Sequence, residues 1–227
     1  MITATQFAHN YSSFWLENFP ALKSYVRVIN AGAYERVFDE YDASIEPSRA
    51  SLISETAFCF LKNGEKSLPK AFREATVRIG NLPGAEKTHT RLKEQEKASV
   101  VELARRTKIM VEAISRDTDN ITFDIEFAGC GALSRSYGDI FSNAVLSEVK
   151  SVDRGFRAVD FRQLMTYVLQ NTTSKNYSIH SIAVINPRSG IFYKENIERF
   201  LFDTCAPNIL DLQGKFVSSI GFGGLSR

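Results

Sequence analysis

Apolar positions recur at helical spacing through residues 11–80 and at strand spacing beyond residue 120, so the chain changes character near its middle. Phe14, Leu16, Phe19 and Leu22 form one helical set, and Tyr25, Val28, Ile29 and Ala33 a second. Leu52, Ile53, Ala57, Phe60 and Leu61 form a third. Pro20, Asn63-Gly64 and Pro69 separate these sets as helix boundaries. Asn81-Leu82-Pro83-Gly84 is the strongest turn signal and the expected seam of the chain. A long amphipathic helix over 91–115 follows it, with Val100, Ala104, Thr107, Val111 and Ile114 along one face.

After Asp119-Asn120 the spacing drops to two and β-branched residues take over. Residues 121–127, 137–141 and 145–152 read as strands, the last two joined by a short turn at Asn143-Ala144. A helix over 160–170 comes next, then an apolar buried strand over 178–185, a turn over 186–190, a strand over 191–194 and a helix over 195–202. This order predicts an α/β fold, a mixed central sheet flanked by helices. A helical N-terminal region over 1–90 is expected to precede a sheet-bearing domain over 91–227.

Composition narrows the function. Hydrophobic residues at 44% and charged residues at 24% are the balance of a globular chain and exclude a disordered one. With 28 Lys and Arg against 26 Asp and Glu the net charge is only +2, so any polyanion site must come from local clustering. No run approaches 18 apolar residues, and the first residues lack the basic flank and apolar core of a secretory leader, which predicts a cytoplasmic chain with no membrane partner. Cys59, Cys130 and Cys205 are as scattered as His9, His89 and His180. That spacing supports neither a disulfide framework nor a Cys/His zinc site.

The chemistry concentrates in Gly138-Asp139-Ile140, Leu146-Ser147-Glu148-Val149-Lys150 and Gln163 with Tyr167. Side chains two apart on a strand share a face, about 6.5–7 Å from one another, so Glu148 and Lys150 project together. If Asn143 and Ala144 form a two-residue hairpin loop, Ser142 pairs with Val145 and Asp139 falls opposite Glu148. Opposed Cβ atoms lie roughly 4.5–5.5 Å apart, close enough for two carboxylates to share a cation. Such carboxylates repel unless a cation lies between them. Together with the Val149 carbonyl they suit a hard ion, Mg²⁺ or Mn²⁺. Lys150 would orient or deprotonate a water, or neutralise a phosphorane-like charge.

Asp139, Glu148-Val149-Lys150 and the following Gln163-xxx-Tyr167 resemble the active-site signature of the PD-(D/E)XK nuclease superfamily, in its RecB-like branch with a QxxxY motif. The resemblance covers about residues 95–200. It implies a restriction-endonuclease-like fold and a Mg²⁺- or Mn²⁺-dependent DNA nuclease. Asp139 and Glu148 would hold the cation, with Lys150 catalytic and Gln163 and Tyr167 in support. It further implies an ATPase or helicase as a possible partner, in settings such as phage defence or DNA repair. Gly138 stands where the signature has its nominal Pro. The upstream His common in that branch has no counterpart, and Glu102 and Glu112 are the candidates for a further acidic ligand.

Plainer roles compete. Glu148 and Lys150 also fit a solvated edge strand, and Asp139 a turn start. Asp160 and Gln163 have the spacing of a capping box, and Tyr167 that of core packing. Arg154, Arg157 and Arg162 are candidates for gripping DNA phosphates. Arg105, Arg106 and Lys108 are expected in helix-surface ion pairs. Asp124 and Glu126 are expected to share a strand face, with a structural role favoured over one of them reaching the metal; His180 is expected in the core and Trp15 in the core or an interface. The terminal Gly221-Phe222-Gly223-Gly224 has no following helix and is no dinucleotide fingerprint.

Overall fold

The computed structural model describes residues 1–41, 45–80, 91–116 and 120–221. The turn expected at 81–84, His89 and the glycines at 223–224 lie outside the described residues. Helices α1 (Ala4–Asn10), α2 (Ser12–Asn18) and α3 (Leu22–Asn30) lead to a two-residue strand β1 (Glu35–Arg36). Then come α4 (Pro47–Lys62), α5 (Leu68–Gly80) and α6 (Glu94–Ser115). Strands β2 (Thr122–Phe127), β3 (Ser136–Ser142) and β4 (Val145–Val149) precede α7 (Ala158–Ser174). Strands β5 (Ser181–Asn186) and β6 (Ile191–Asn196), then α8 (Ile197–Asp203) and α9 (Ile209–Gly221), complete the chain.

Among the described residues the sheet has six strands in the order β1-β6-β5-β4-β3-β2. Only β4 and β5 run parallel, joined by the α7 crossover; the other neighbours are antiparallel. The fold is therefore α/β with a mixed sheet between helices. On one face Leu146, Ile182 and Val184 pack with Leu164 and Val168 of α7, Phe7 of α1, Ile29 of α3 and Phe216 of α9. On the other, Ile140, Val145, Ala183 and Ile185 pack with Met110, Val111 and Ile114 of α6 and Phe58 of α4. Helices α4 and α5 then close on α6 through Leu52, Ile53, Ala71, Ala75, Leu103 and Ala104.

Several expectations need correcting. The first 80 residues do not form a region apart, because α1–α3 cover one sheet face, α4 and α5 back the other, and β1 extends the sheet through β6. Strand β1 and helix α9 had no expectation at all. Strand β4 ends at Val149 rather than 152, since Asn186 takes over Val152 with its side-chain amide, donating to the Val152 carbonyl at 2.8 Å. His180 lies exposed before β5, bonded to Ser178 Oγ at 3.0 Å, and not in the core. Trp15 is buried as expected, with its indole N–H on the Phe7 carbonyl.

The hairpin between β3 and β4 has the expected two-residue loop. Ser142 pairs with Val145, Phe141 with Leu146 and Ile140 with Ser147, while Asn143 and Ala144 both take positive φ, 46° and 61°. Two such residues give the primed turn whose twist matches a hairpin. One irregularity interrupts β2 and β3. Phe123 pairs with Ile140, and both pack on the α6 side of the sheet. Ile125 pairs with Gly138, and these face α7, where Ile125 packs with Tyr167 and a Cβ on Gly138 would meet Leu146, Phe127 and Tyr167. Residues two apart should share a face. Both strands thus reverse at the intervening pair, Asp124 and Asp139, and Asp124 has φ of 52°. The register continues unbroken across them, so the positive φ at Asp124, and not an inserted residue, turns the two acidic side chains out of the regular pleat.

Candidate active site

Glu148 sits in the sheet centre on the α7 side, the face of its strand neighbour Leu146, and is only 3% exposed. Its Oε1 accepts from Lys150 Nζ at 2.8 Å, and its buried Oε2 has no partner among the described residues. An orphaned carboxylate oxygen at this depth is costly, which is the mark of a group waiting for a ligand. Asp139 reaches the same spot from β3, where its Oδ2 accepts the Val149 N–H at 2.7 Å. Asp139 thus meets the Glu148-Val149-Lys150 end of β4 through a backbone bond rather than by the simple opposed pairing the hairpin count predicts.

The second motif joins the first. Gln163 on α7 accepts from Lys150 Nζ at 3.0 Å and donates through Nε2 to Tyr167 Oη at 2.7 Å. Tyr167 stacks on Phe127, with ring centroids 5.4 Å apart and planes at 8°. The capping role belongs to a different residue. Helix α7 begins at Ala158, so Asp160 is three positions beyond its cap and accepts the Arg157 N–H at 2.8 Å, leaving Gln163 free to face the site. Both Glu148 and Tyr167 lie on a buried strand and helix face, which removes the solvated-edge reading.

The electrostatics follow from burial. Desolvation, then the neighbouring Asp139 charge, pushes the Glu148 carboxyl up to about 8, against the pull of Lys150. Burial raises Asp139 as well, opposed by Lys150, the Val149 amide and Arg78. Burial works to lower Lys150, but Glu148 and Asp139 outweigh it, so the ammonium is held above its ordinary range. Lys150 is a fixed cation here. Tyr167 is raised well above its ordinary value by burial, so its hydroxyl stays protonated.

A second charged cluster borders the first, and no local spacing along the chain signals its assembly. Arg78 of α5 donates through Nε to Glu55 Oε1 of α4 at 2.7 Å and forks onto Asp124 at 2.8 and 3.2 Å. Lys62 also donates to Asp124, at 2.8 Å, and pairs with Glu74. Burial raises the Glu55 carboxyl, Arg78 opposes that, and Asp139 adds to it, which places Glu55 within electrostatic reach of the site. Glu55 is thus a helix carboxylate that feels the Asp139 charge, already paired with Arg78. Glu102 is held down at about 2 by Arg105, against burial and aided by Arg106, and belongs to their ion pairs on α6. Glu112, the other candidate, belongs to the same helix α6, which packs on the sheet face opposite the one that carries Leu146 and Glu148. Asp124 and Glu126 do not share a role, since Glu126 is exposed beside Arg135 at 3.2 Å.

Among the three candidate phosphate contacts, Arg154 is already committed, forking onto buried Asp160 at 2.9 and 3.1 Å. Arg157 is exposed. Arg162 lies 5.9 Å over the Trp15 ring, its buried Nε without an acceptor among the described residues, and burial lowers its guanidinium. Lys108 pairs with Glu65 at 3.8 Å, whereas Arg106 is buried and also donates to the Asp39 and Pro187 carbonyls.

Among the described residues no three His, Cys, Asp or Glu side chains form a ready-made metal cage. The donors that come together are the two carboxylates of Asp139 and Glu148, all oxygen, which suits a hard divalent ion. The orphaned Glu148 Oε2 is the observation that fits such an ion. No helix among the described residues is long and apolar enough to cross a membrane. No protein-family model, curated protein or solved structure matches the chain.

Proposed function

We propose that this chain is a metal-dependent nuclease that hydrolyses phosphodiester bonds in DNA. The reading rests on one observation above all: Glu148 is buried with one oxygen on Lys150 and the other unpartnered, beside Asp139. Asp139, Glu148 and the Val149 carbonyl would hold Mg²⁺ or Mn²⁺. When bound, that ion polarises the phosphodiester and acidifies a water nucleophile.

The remaining work falls to the chain itself. Lys150, kept protonated by its two carboxylate neighbours, serves as a charged donor that orients the water and offsets charge on the phosphate in the transition state. A base role suits it poorly, because its proton is held too tightly. Gln163 fixes the ammonium from the side opposite Glu148, and Tyr167 fixes Gln163. Arg157 and Arg162 supply phosphate contacts along the α7 side, with Arg154 tied to Asp160.

A time course on circular and linear DNA, with Mg²⁺ and with EDTA, tests this. Cleavage that needs the cation and disappears in Glu148→Ala is expected, and circles separate endonuclease from exonuclease action. Full activity of purified Glu148→Ala would sink the proposal. Retained Mn²⁺ binding without cleavage by the isolated chain would instead favour a subunit that cuts only beside a partner such as an ATPase or helicase.

A further inference from the structure

We infer that Arg78 is a permanent cation of this site, occupying the flanking carboxylates Glu55 and Asp124 so that the centre takes one divalent ion and not two. The inference rests on the nuclease reading above and deepens it. Hydrolytic sites with two ions set them about 3.5–4 Å apart, with carboxylates bridging or flanking the pair. Here the flanking carboxylates exist, and a guanidinium already sits between them.

Three features make that guanidinium hard to displace. All three of its nitrogens are engaged, Nε on Glu55 and the two terminal nitrogens on Asp124. Such a fork is geometrically matched to a carboxylate in a way a point charge is not. Its carbon lies 5.2 Å over the Phe58 ring, which adds a cation–π contact. Lys62 further holds Asp124 through Oδ2, the oxygen that Arg78 Nη1 also reaches. A second divalent ion would have to evict Arg78 and leave a part-buried guanidinium unpaired, the costly half of breaking such a pair.

Charge balance points the same way. Glu55, Glu74, Asp124, Asp139 and Glu148 face Arg78, Lys62 and Lys150. With all groups ionised, five negative charges meet three positive ones and two remain. The neighbouring Asp160–Arg154 pair is balanced by itself. One divalent ion neutralises this set, and two would overcharge it. The αL backbone at Asp124 is held by the same contacts, since its carboxylate is anchored on α4 and α5 rather than along β2.

Calorimetric Mn²⁺ titration of the full chain, with bound ions counted by electron paramagnetic resonance, tests the stoichiometry directly. The wild type should bind one ion, and Glu148→Ala should abolish it. Arg78→Gln should raise the count from one to two, and adding Glu55→Gln should return it to one. Arg78→Lys, which keeps a charge there, should stay at one and guards against a folding defect in Arg78→Gln, with thermal melts run alongside. Two ions in the wild type would overturn this inference and leave the nuclease reading standing. A single ion in a folded Arg78→Gln would overturn it as well. No ion in the wild type would overturn both.

Discussion

Gln163 bridges Lys150 and Tyr167, accepting from the ammonium at 3.0 Å and donating to the phenol at 2.7 Å. The bridge ties the end of strand β4 to helix α7 by a side chain that has no carboxylate partner among the described residues. Among the described residues the other hydrogen-bond partner of the Lys150 ammonium is Glu148, so removing the amide frees the head group to swing toward either carboxylate. Gln163→Ala should lower kcat about 10- to 100-fold with KM and melting temperature nearly unchanged. Tyr167→Phe should give a smaller loss of the same kind, since the ring still stacks on Phe127. Steady-state cleavage assays with a parallel melt check both.

The buried Glu148 carboxyl makes metal-free stability depend on pH. Its folded value, about 8, lies above the ordinary value of 4.5, so the fold favours the protonated form. That contribution is complete below pH 4.5 and is lost as pH rises toward 8. Asp139, also raised, acts in the same direction. The lowered carboxylates Glu74, Glu96 and Glu102 act only in more acid solution, below the ordinary glutamate range. The melting temperature in EDTA should therefore fall between pH 5 and 8, and Mn²⁺ should restore most at the upper end. Glu148→Gln should flatten the slope. A melting temperature that rises across this interval in EDTA would contradict the burial argument.

Gly138 is required by space rather than by backbone conformation. A Cβ there would lie 3.1 Å from both Leu146 Cδ1 and Phe127 Cε2 and 3.6 Å from Tyr167 Cδ2. Phe127 is the ring on which Tyr167 stacks, so the push is passed to the Gln163 bridge. Gly138→Ala should cost about 1–3 kcal/mol. It should also reduce kcat, because Tyr167 must shift. Chemical denaturation and cleavage rates on the same preparation measure the two effects separately.

Local signals accounted for much of this site, and tertiary ones for the rest. Asn143-Ala144 set the hairpin register, and the Glu148–Lys150 spacing and the Gln163–Tyr167 spacing placed each pair on one face. The reversal at Asp124 and Asp139 had no such signal. It depends on Arg78 and Lys62, which are 46 and 62 residues from Asp124 along the chain. Glu55 was invisible for the same reason: within α4 it reads as one more polar helix position, and only the packing of α4 and α5 beside β2 gives it a neighbour in Asp139. The helix start at Ala158 was missed because Asp160 serves as the third helical residue and not as the cap. His180 reads as a core residue because the apolar run that includes Ile179 starts ahead of Ser181, where β5 begins.

Arg162 offers the sharpest test of how DNA would lie on the α7 side. An arginine held over an indole ring, with its Nε buried and no acceptor among the described residues, has lost hydration without gaining an ion pair. Burial lowers its guanidinium, yet an arginine remains charged throughout the physiological range. A phosphate oxygen would relieve that cost, while Arg154, already forked onto Asp160, gains little from one. Arg162→Ala should therefore weaken duplex binding in Ca²⁺ and reduce the slope of log affinity against log salt by about 0.9, the contribution of one phosphate contact. Arg157→Ala should act similarly from its exposed position, and Arg154→Ala should leave the slope unchanged while lowering stability through the loss of its buried partner's counter-charge. Fluorescence anisotropy over a salt series reads all three, and a slope untouched by Arg162→Ala would remove this residue from the DNA surface.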